Sequence, residues 1–527
     1  MSVGETMQDT ERERWWSPRH WLAARRVVQA LALLAFLILF VWSRRGGWPA
    51  SLVNTPMRLD PLAMLAHLLS SRTFLASSAL ALVVVAMTLI AGRVWCGWLC
   101  PLGTLLDWIP LRRWRRKDVR VPDGWRSVKH GLLLTLLIAA ALTNLTLMIF
   151  DPLTILFRTL STAVWPSVDR IVTAVETALY GIPFLQPAVT SFDALVRPVA
   201  LPIEPAFYRY TLLYAGFFAA IVATNLIAPR FWCRYLCPLG SLLGLLSKAG
   251  LVRREVNENC TQCGACDRVC PTGTVQAEMD FASDPAECTM CLACSAACPV
   301  DAIDFPGRAP NLRRSTYDPD RRHLLAALGA SVAGIGLFQS NLIASRDHSH
   351  LIRPPGAREN DLLSKCTRCG ECNRACPTSA IQPAVTEAGL EGVWTPVLVP
   401  RAGYCDYSCN ACGQVCPVEA IPPLGLEEKR KRVIGKAYID ENRCIAWADE
   451  EACIVCEEMC PVPEKAIILE EAEVGLEEDG ESATVQRPQV IRERCIGCGI
   501  CEYKCPVNGE AAIRVYVPAD DCGPVAF

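Results

Sequence analysis

Cysteine carries most of the chemistry this sequence can do. The 527 residues hold 29 cysteines, and six groups of four follow the spacing Cys-x2-Cys-x2-Cys-x3-Cys-Pro or a close variant of it. Two regular runs come first: Cys260, Cys263, Cys266, Cys270, then Cys288, Cys291, Cys294, Cys298. Two more regular runs are Cys366, Cys369, Cys372, Cys376 and Cys495, Cys498, Cys501, Cys505. Between them lie Cys405, Cys409, Cys412, Cys416, with one extra residue in the first gap, and Cys444, Cys453, Cys456, Cys460, with a longer insertion there. A disulfide framework has no reason to repeat one spacing. Zinc also uses Cys-x2-Cys pairs, but the third and fourth cysteines and the proline after them form the bacterial ligand run for 4Fe-4S clusters. Six runs therefore predict six 4Fe-4S clusters.

In such runs the fourth cysteine ligates the neighbouring cluster. Cys298 is expected to join Cys260, Cys263 and Cys266, and Cys270 to join Cys288, Cys291 and Cys294. In the four later runs two pairings stay open: neighbour with neighbour, or first with fourth and second with third. Six clusters in series read as a wire for single electrons. Short apolar segments after several runs (Ala302-Ile303, Ala380-Ile381, Ala420-Ile421, Ala466-Ile467, Ala512-Ile513) predict a short strand after each cluster loop.

Four other cysteines sit in a repeated sequence, Arg93-Val-Trp-Cys-Gly-Trp-Leu-Cys-Pro-Leu-Gly103 and Arg230-Phe-Trp-Cys-Arg-Tyr-Leu-Cys-Pro-Leu-Gly240. Cys-x3-Cys puts two thiols on one helical face, one turn apart, and the proline bends or ends the helix. Two such units facing each other would gather Cys96, Cys100, Cys233 and Cys237 into a metal or redox site that relays electrons. The competing reading is four thiols packing helix ends, with Trp95 and Trp232 anchored at a membrane interface. Cys522 stands outside every motif.

The elements that hold these motifs are apolar helices. Stretches at about Val27–Trp42, Phe74–Gly92, Gly131–Phe150 and Leu212–Ala228 each approach the ~20 residues needed to cross a bilayer. The 101–129 loop carries eight Lys and Arg, concentrated in Arg112–Lys117, and the longer 151–211 loop only four. The positive-inside rule then places the N-terminus and both cysteine pairs at the cytoplasmic side, with Arg44 and Arg45 against it. Ser167–Gly181 predicts an amphipathic helix, with Val168, Ile171, Val172, Val175 and Leu179 on one face, lying on the outer surface or covering the bundle. Leu324–Ala344, after Arg321-Arg322, reads as a fifth span with a twin-arginine export signal in mid-chain.

Residues 1–344 hold 33 Lys and Arg against 24 Asp and Glu, and residues 345–527 hold 19 against 30. A basic half suits an anionic membrane surface. The acidic half argues against nucleic-acid binding and for a water-soluble domain. The six histidines include none deep in a predicted span (His67 and His130 sit at helix ends), so paired axial ligands for a membrane haem are missing. There is no Cys-x2-Cys-His haem attachment site and no Gly-rich dinucleotide loop.

Two hairpins ending in Cys-x3-Cys-Pro, followed by two ferredoxin runs, resemble NapH, the membrane subunit of a quinol-oxidising module serving periplasmic nitrate reductase. MauN, NosR and CcoG are relatives of that type. The resemblance covers residues of about 20–306. The twin arginine and four later runs, about 315–515, resemble NapG and MauM, exported ferredoxins. The chain thus resembles a fusion of the two kinds. The resemblance implies electron transfer between the membrane quinone pool and an exported reductase or cytochrome, as a quinol dehydrogenase module. An assembly or regulatory factor that reduces a metal centre in another enzyme is the alternative. Asp151 and Arg158 are candidates for a quinone site.

The expected architecture is a membrane α-helical bundle (four spans plus a fifth) with α+β ferredoxin-like domains, multi-pass in a bacterial plasma membrane. Its parts are a four-span domain at 1–240, a cytoplasmic two-cluster ferredoxin domain at 250–310, the fifth span at 320–345, and an extracytoplasmic four-cluster domain at 355–527.

Overall fold

The computed structural model describes residues 18–43, 49–109, 121–197, 200–201, 206–307, 321–339, 350–475 and 482–518. Arg44, Arg45, the basic run Arg112–Lys117 and Cys522 lie outside the described residues.

A helical bundle forms the middle of the molecule. Its helices are α1 (Pro18–Trp42), α2 (Pro61–Ser71), α3 (Ala81–Ala91), α4 (Pro101–Trp108), α5 (Arg126–Ala141), α6 (Pro152–Thr159), α7 (Trp165–Tyr180), α8 (Gln186–Val196), α9 (Thr211–Ala223), α10 (Pro238–Ser247) and α11 (Arg321–Gln339). Five of them, α1, α2, α4, α6 and α10, begin with proline, whose fixed φ is already helical and whose missing N–H costs nothing there. The proline after each cysteine pair therefore opens a helix, α4 or α10, directly after the helical turn that, as expected, ends at the cysteine in front of it.

The bundle is built twice. α1, α2, α3 and α4 correspond in order to α5, α6, α9 and α10. In each copy an Asp-Pro-Leu sequence (Asp60–Leu62, Asp151–Leu153) opens the second helix and the Cys-x3-Cys-Pro-Leu-Gly sequence opens the fourth. Leu62, Val84, Leu102, Leu133, Ile221 and Leu239 from both copies share one buried core.

Among the described residues, Arg19–Trp42 is the one helix long and apolar enough to cross a membrane. The other expected spans are shorter helices continued by turns. The Gly131–Phe150 stretch breaks after Ala141: Thr143 takes a φ of 63°, and the Asn144 side chain accepts from the Thr146 N–H at 2.9 Å, starting a turn that leads to Asp151. A polar side chain that captures a nearby backbone N–H competes with helix continuation. α7 forms where the amphipathic pattern put it. Val168, Ile171, Val175 and Leu179 remain exposed, and Arg197, after α8, ties the α7–α8 hairpin through Glu176 and Asp193.

Two ferredoxin-like lobes sit at opposite ends of the bundle. The first, residues 250–307, has one antiparallel pair, Glu255–Val256 with Ile303–Asp304. The second, residues 350–518, has three such pairs, the longest a hairpin of Ile467–Gly475 with Ser482–Val490. Expected strands form at Ile303, Ile381, Ile467 and Ile513. Ala420 and Ile421 form none, and pack instead against Leu362. α5 shows the separation. Lys129 in its first turn meets Glu287 of the first lobe, and Thr146 just past its end donates to the Glu391 carbonyl of the second at 3.0 Å. Sixteen helical residues rise about 24 Å. α11 packs along α5, with Ser331 Oγ donating to Thr135 Oγ1 at 3.0 Å.

Candidate metal centres

The cysteine runs are shaped by backbone that few side chains tolerate. In the four regular runs both residues flanking the second cysteine have positive φ: Gln262 and Gly264, Met290 and Leu292, Arg368 and Gly370, Gly497 and Gly499, all between 50° and 87°. Such conformations cost of order 1 kcal/mol or more for a non-glycine residue and persist where surroundings over-determine them. They wrap the loop around a point. In the two irregular runs, Asn410 and Ile454 stand at φ −130° and −116°. The extra residues take over the work of the left-handed turn, and the Cys-x2-Cys-x3-Cys remainder keeps its helix.

The loops gather the thiols as crossed quartets. Cys260, Cys263 and Cys266 line one hollow together with Cys298. Cys288 has Cys291, Cys294 and Cys270 as its electrostatic neighbours. In the second lobe, Cys372 faces Cys369, Cys366 and Cys416, and Cys412 faces Cys405, Cys376 and Cys409. Cys444, Cys453, Cys456 and Cys505 line a further hollow, and Cys460, Cys495, Cys498 and Cys501 another. The later runs thus pair neighbour with neighbour.

The quartets have an order in space. The Cys405 N–H donates to the Cys498 carbonyl at 2.8 Å, so the sixth run stands beside the fourth and the fifth run joins through the sixth. Cys369 packs against Met57 and Leu153 of the bundle. In the first lobe, Trp98 Nε1 donates to the Met290 carbonyl at 2.9 Å, placing the Cys288 quartet against the bundle.

Among the described residues no three His, Cys, Asp or Glu converge on a single-ion site. A Zn–S bond of about 2.3 Å would draw four sulfurs to within about 4 Å of one another. Four thiols lining a hollow suit a cluster. Backbone donors point at the sulfurs, as from Ala302 N to Cys298 Sγ at 3.2 Å and Ala437 N to Cys495 Sγ at 3.3 Å, the hydrogen bonding that tunes such clusters. Burial pushes Cys405 up to about 11 despite Lys429, and Cys456 and Cys498 up to about 12. Ligation must therefore displace protons. Burial also lifts Glu371 to about 8, against the pull of Arg374.

The repeated pairs come together too. Trp95–Leu99 and Trp232–Leu236 each form one wide helical turn. Cys100 Sγ then accepts from the Gly103 N–H at 3.5 Å, and Cys237 Sγ from the Gly240 N–H at 3.2 Å. Cys237 has Cys233, Cys96 and Cys100 as electrostatic neighbours. Trp95 and Trp232 are 7 % and 4 % exposed, so they are core residues and no surface anchors.

Each copy lends an arginine to the other's loop. A Cβ on Gly240 would stand 2.8 Å from Arg93 Nη2, while Arg230 donates to the Cys96 carbonyl at 3.1 Å and the Gly103 carbonyl at 3.5 Å. Arg93 also binds Glu287 at 3.3 Å, which Lys129 shares. Arg230 and Arg25 share Asp107 at 2.6 Å and 2.5 Å. Burial alone would raise Glu287, but Lys129 and Arg93 outweigh it and hold it below the usual carboxylate range. Arg93 and Arg230 thus act directly on the thiols, and each also pairs with a carboxylate.

Comparison with known proteins agrees with this geometry. A family described as 4Fe-4S binding domain matches residues 73–122 and 211–257, a 4Fe-4S dicluster domain matches 280–377, and a 4Fe-4S binding domain matches 488–509. The methylamine utilization ferredoxin-type protein MauM of Methylorubrum extorquens is 35 % identical over 37 % of this chain and 89 % of its own length. The chain belongs to the ferredoxin-type proteins of the Mau and Nap systems. Escherichia coli NapG is 33 % identical over 36 % of this chain and 78 % of its own, and Escherichia coli NapH 24 % over 50 % and 78 %. The chain joins a NapH/MauN-like ferredoxin-type protein to a NapG/MauM-like one. No solved structure matches it. In this ferredoxin-type chain the dicluster match begins in the first lobe and ends in the second, so its two cysteine runs lie at opposite ends of the bundle.

Sequence reading singled out Asp151 and Arg158 in this ferredoxin-type protein. Arg158 donates to the Arg368 carbonyl at 2.5 Å and the Trp394 carbonyl at 3.2 Å, docking the second lobe. Asp151 is buried against Asp60. Sequence reading passed over Arg93 and Arg230 as functional residues, although both stand three residues before a cysteine in the repeated motif.

Proposed function

We propose that the chain carries electrons between the membrane quinone pool and an exported reductase or cytochrome, as a quinol dehydrogenase module. The observation that carries this reading is the seating of two cysteine-rich lobes on opposite ends of one bundle, with four further thiols inside it. In this reading α1, α3, α5, α9 and α11 with their flanking turns cross the membrane, the first lobe is cytoplasmic and the second extracytoplasmic. Exposed Leu31, Leu34, Leu82, Val83, Leu212 and Leu328 support a lipid-facing belt.

Bound 4Fe-4S clusters supply one-electron transfer. The chain's own residues hold and order them: six quartets for six clusters, plus Cys96, Cys100, Cys233 and Cys237 for a seventh metal centre inside the bundle. Arg93 and Arg230 offset the thiolate charge there. The fifth run, joined through the sixth, is the exit. Its insertion carries Asp449, Glu450 and Glu451, which suits a basic-faced acceptor.

A protease-protection assay on a C-terminal tag in intact spheroplasts tests the topology. Cleavage in the wild type and protection in Arg321→Lys/Arg322→Lys is expected. Protection in both would place every quartet in the cytoplasm and end the reading of export.

A further inference from the structure

Two buried carboxyl groups take no part in any of these sites. Asp60 and Asp151 occupy equivalent places in the duplicated bundle, and each caps the helix that follows it. Asp60 Oδ1 accepts from the Leu62 N–H at 2.8 Å and Asp151 Oδ2 from the Thr154 N–H at 2.8 Å. They are 2 % and 1 % exposed. Each carboxyl lies within the other's electrostatic reach, and Asp151 Oδ1 has no hydrogen-bond donor among the described residues. Carboxylates only accept, so a bond between the two groups needs a proton.

The charged groups on the elements packed around the pair are engaged elsewhere. Arg58 lies beside Glu419 and Cys416 of the second lobe, and Arg158 bonds the two carbonyls there. His67 lies beside Ser71 and Lys365. Lys129 is held by Glu287, His130 by Ser241, and Asp107 by Arg25 and Arg230. Without a cation, two neighbouring buried carboxylates cannot both persist. The pair is also close to the four thiols. Phe150, next to Asp151, stacks on Trp232, next to Cys233, with centroids 6.2 Å apart.

We propose that Asp60 and Asp151 form a proton-exchanging pair that balances the charge of the four-cysteine centre. One electron arriving from the Cys288 quartet is matched by one proton taken from water, so the pair passes from one shared proton to two. No bond other than that O–H forms, and on reoxidation electron and proton both leave. This rests on reading Cys96, Cys100, Cys233 and Cys237 as a redox centre.

The test uses purified full-length protein. Cys233→Ser identifies the centre by the paramagnetic signal that it removes. Redox titration of that signal in the wild type is expected to follow pH by about 59 mV per unit, one proton for each electron. Reduced-minus-oxidised infrared spectra should gain a protonated-carboxyl band. Asp60→Asn and Asp151→Asn, which preserve the caps, should lose the band and flatten the pH dependence. A wild-type midpoint that ignores pH would overturn the proposal even if neither variant folds, and a band surviving in both variants would overturn it too. If Cys233→Ser removes no signal, the centre itself falls and the proposal with it.

Discussion

The two lobes are fixed to the bundle by different forces. The first is held by buried charge: Arg93 and Lys129 of the bundle close on Glu287, the residue before Cys288. The second is held by cations that meet carbonyls and rings. Arg158 bonds the Arg368 and Trp394 carbonyls and lies 5.0 Å from the Trp394 ring, and Arg374 lies 4.6 Å from the Phe40 ring. In the first joint Arg93 meets Glu287, beside a cluster loop, and also acts on Cys96, Cys233 and Cys237, so it couples two sites as well as fastening them. The second leans on carbonyls and rings, with Arg58 beside Glu419 and Arg374 beside Glu371.

Breaking the first joint should have the largest effect. Glu287→Ala leaves Arg93 and Lys129 buried without their anion, and removing one member of a buried pair costs about 3–5 kcal/mol. Thermal unfolding followed by loss of the first-lobe clusters would show it, and an unchanged midpoint would remove the distinction between the joints. Arg158→Ala should cost less, about 2–3 kcal/mol, as hydrogen bonds from a charged donor are lost. Hydrogen exchange should rise at Arg368 and Trp394 while the first lobe stays protected.

A smaller change sharpens the comparison. Gly370→Ala forces a side chain onto a φ of 87°, with the new Cβ 3.5 Å from the Arg158 guanidinium, and should cost about 1–2 kcal/mol. Slower cluster reconstitution in the second lobe alone is the expected readout. Smallest in stability is Glu450→Gln/Glu451→Gln, in the insertion of the fifth run. Melting should shift within about 0.5 kcal/mol, while association with a basic acceptor slows severalfold and loses salt dependence.

What the sequence revealed was local. A regular ligand run declares itself within eleven residues, so all six runs could be named and the first two paired. The pairing of the four later runs depended on contacts that local spacing does not carry. The α7 pattern was legible because it too is local. The charge environment was not: Asp107 meets Arg230 across 123 residues, and Arg93 meets Glu287 across 194. Asp60 looks like an ordinary helix cap until Asp151 is brought to it. The proline after each cysteine pair does end one helical turn, but that it also opens the next helix was not legible, because helix ends and helix starts both favour proline.

The crossing of cysteines between neighbouring runs also dictates when the protein can be finished. Cys366, Cys369 and Cys372 wait for Cys416, and Cys444, Cys453 and Cys456 wait for Cys505. During synthesis no quartet of the second lobe closes until its partner run has left the ribosome. The sixth run, late in the chain, completes the link through which the fifth run joins. A ribosome that stops before the sixth run therefore yields a conductor without its two outer links, and a quality check that reads whether the clusters are loaded would also be reading whether translation was completed.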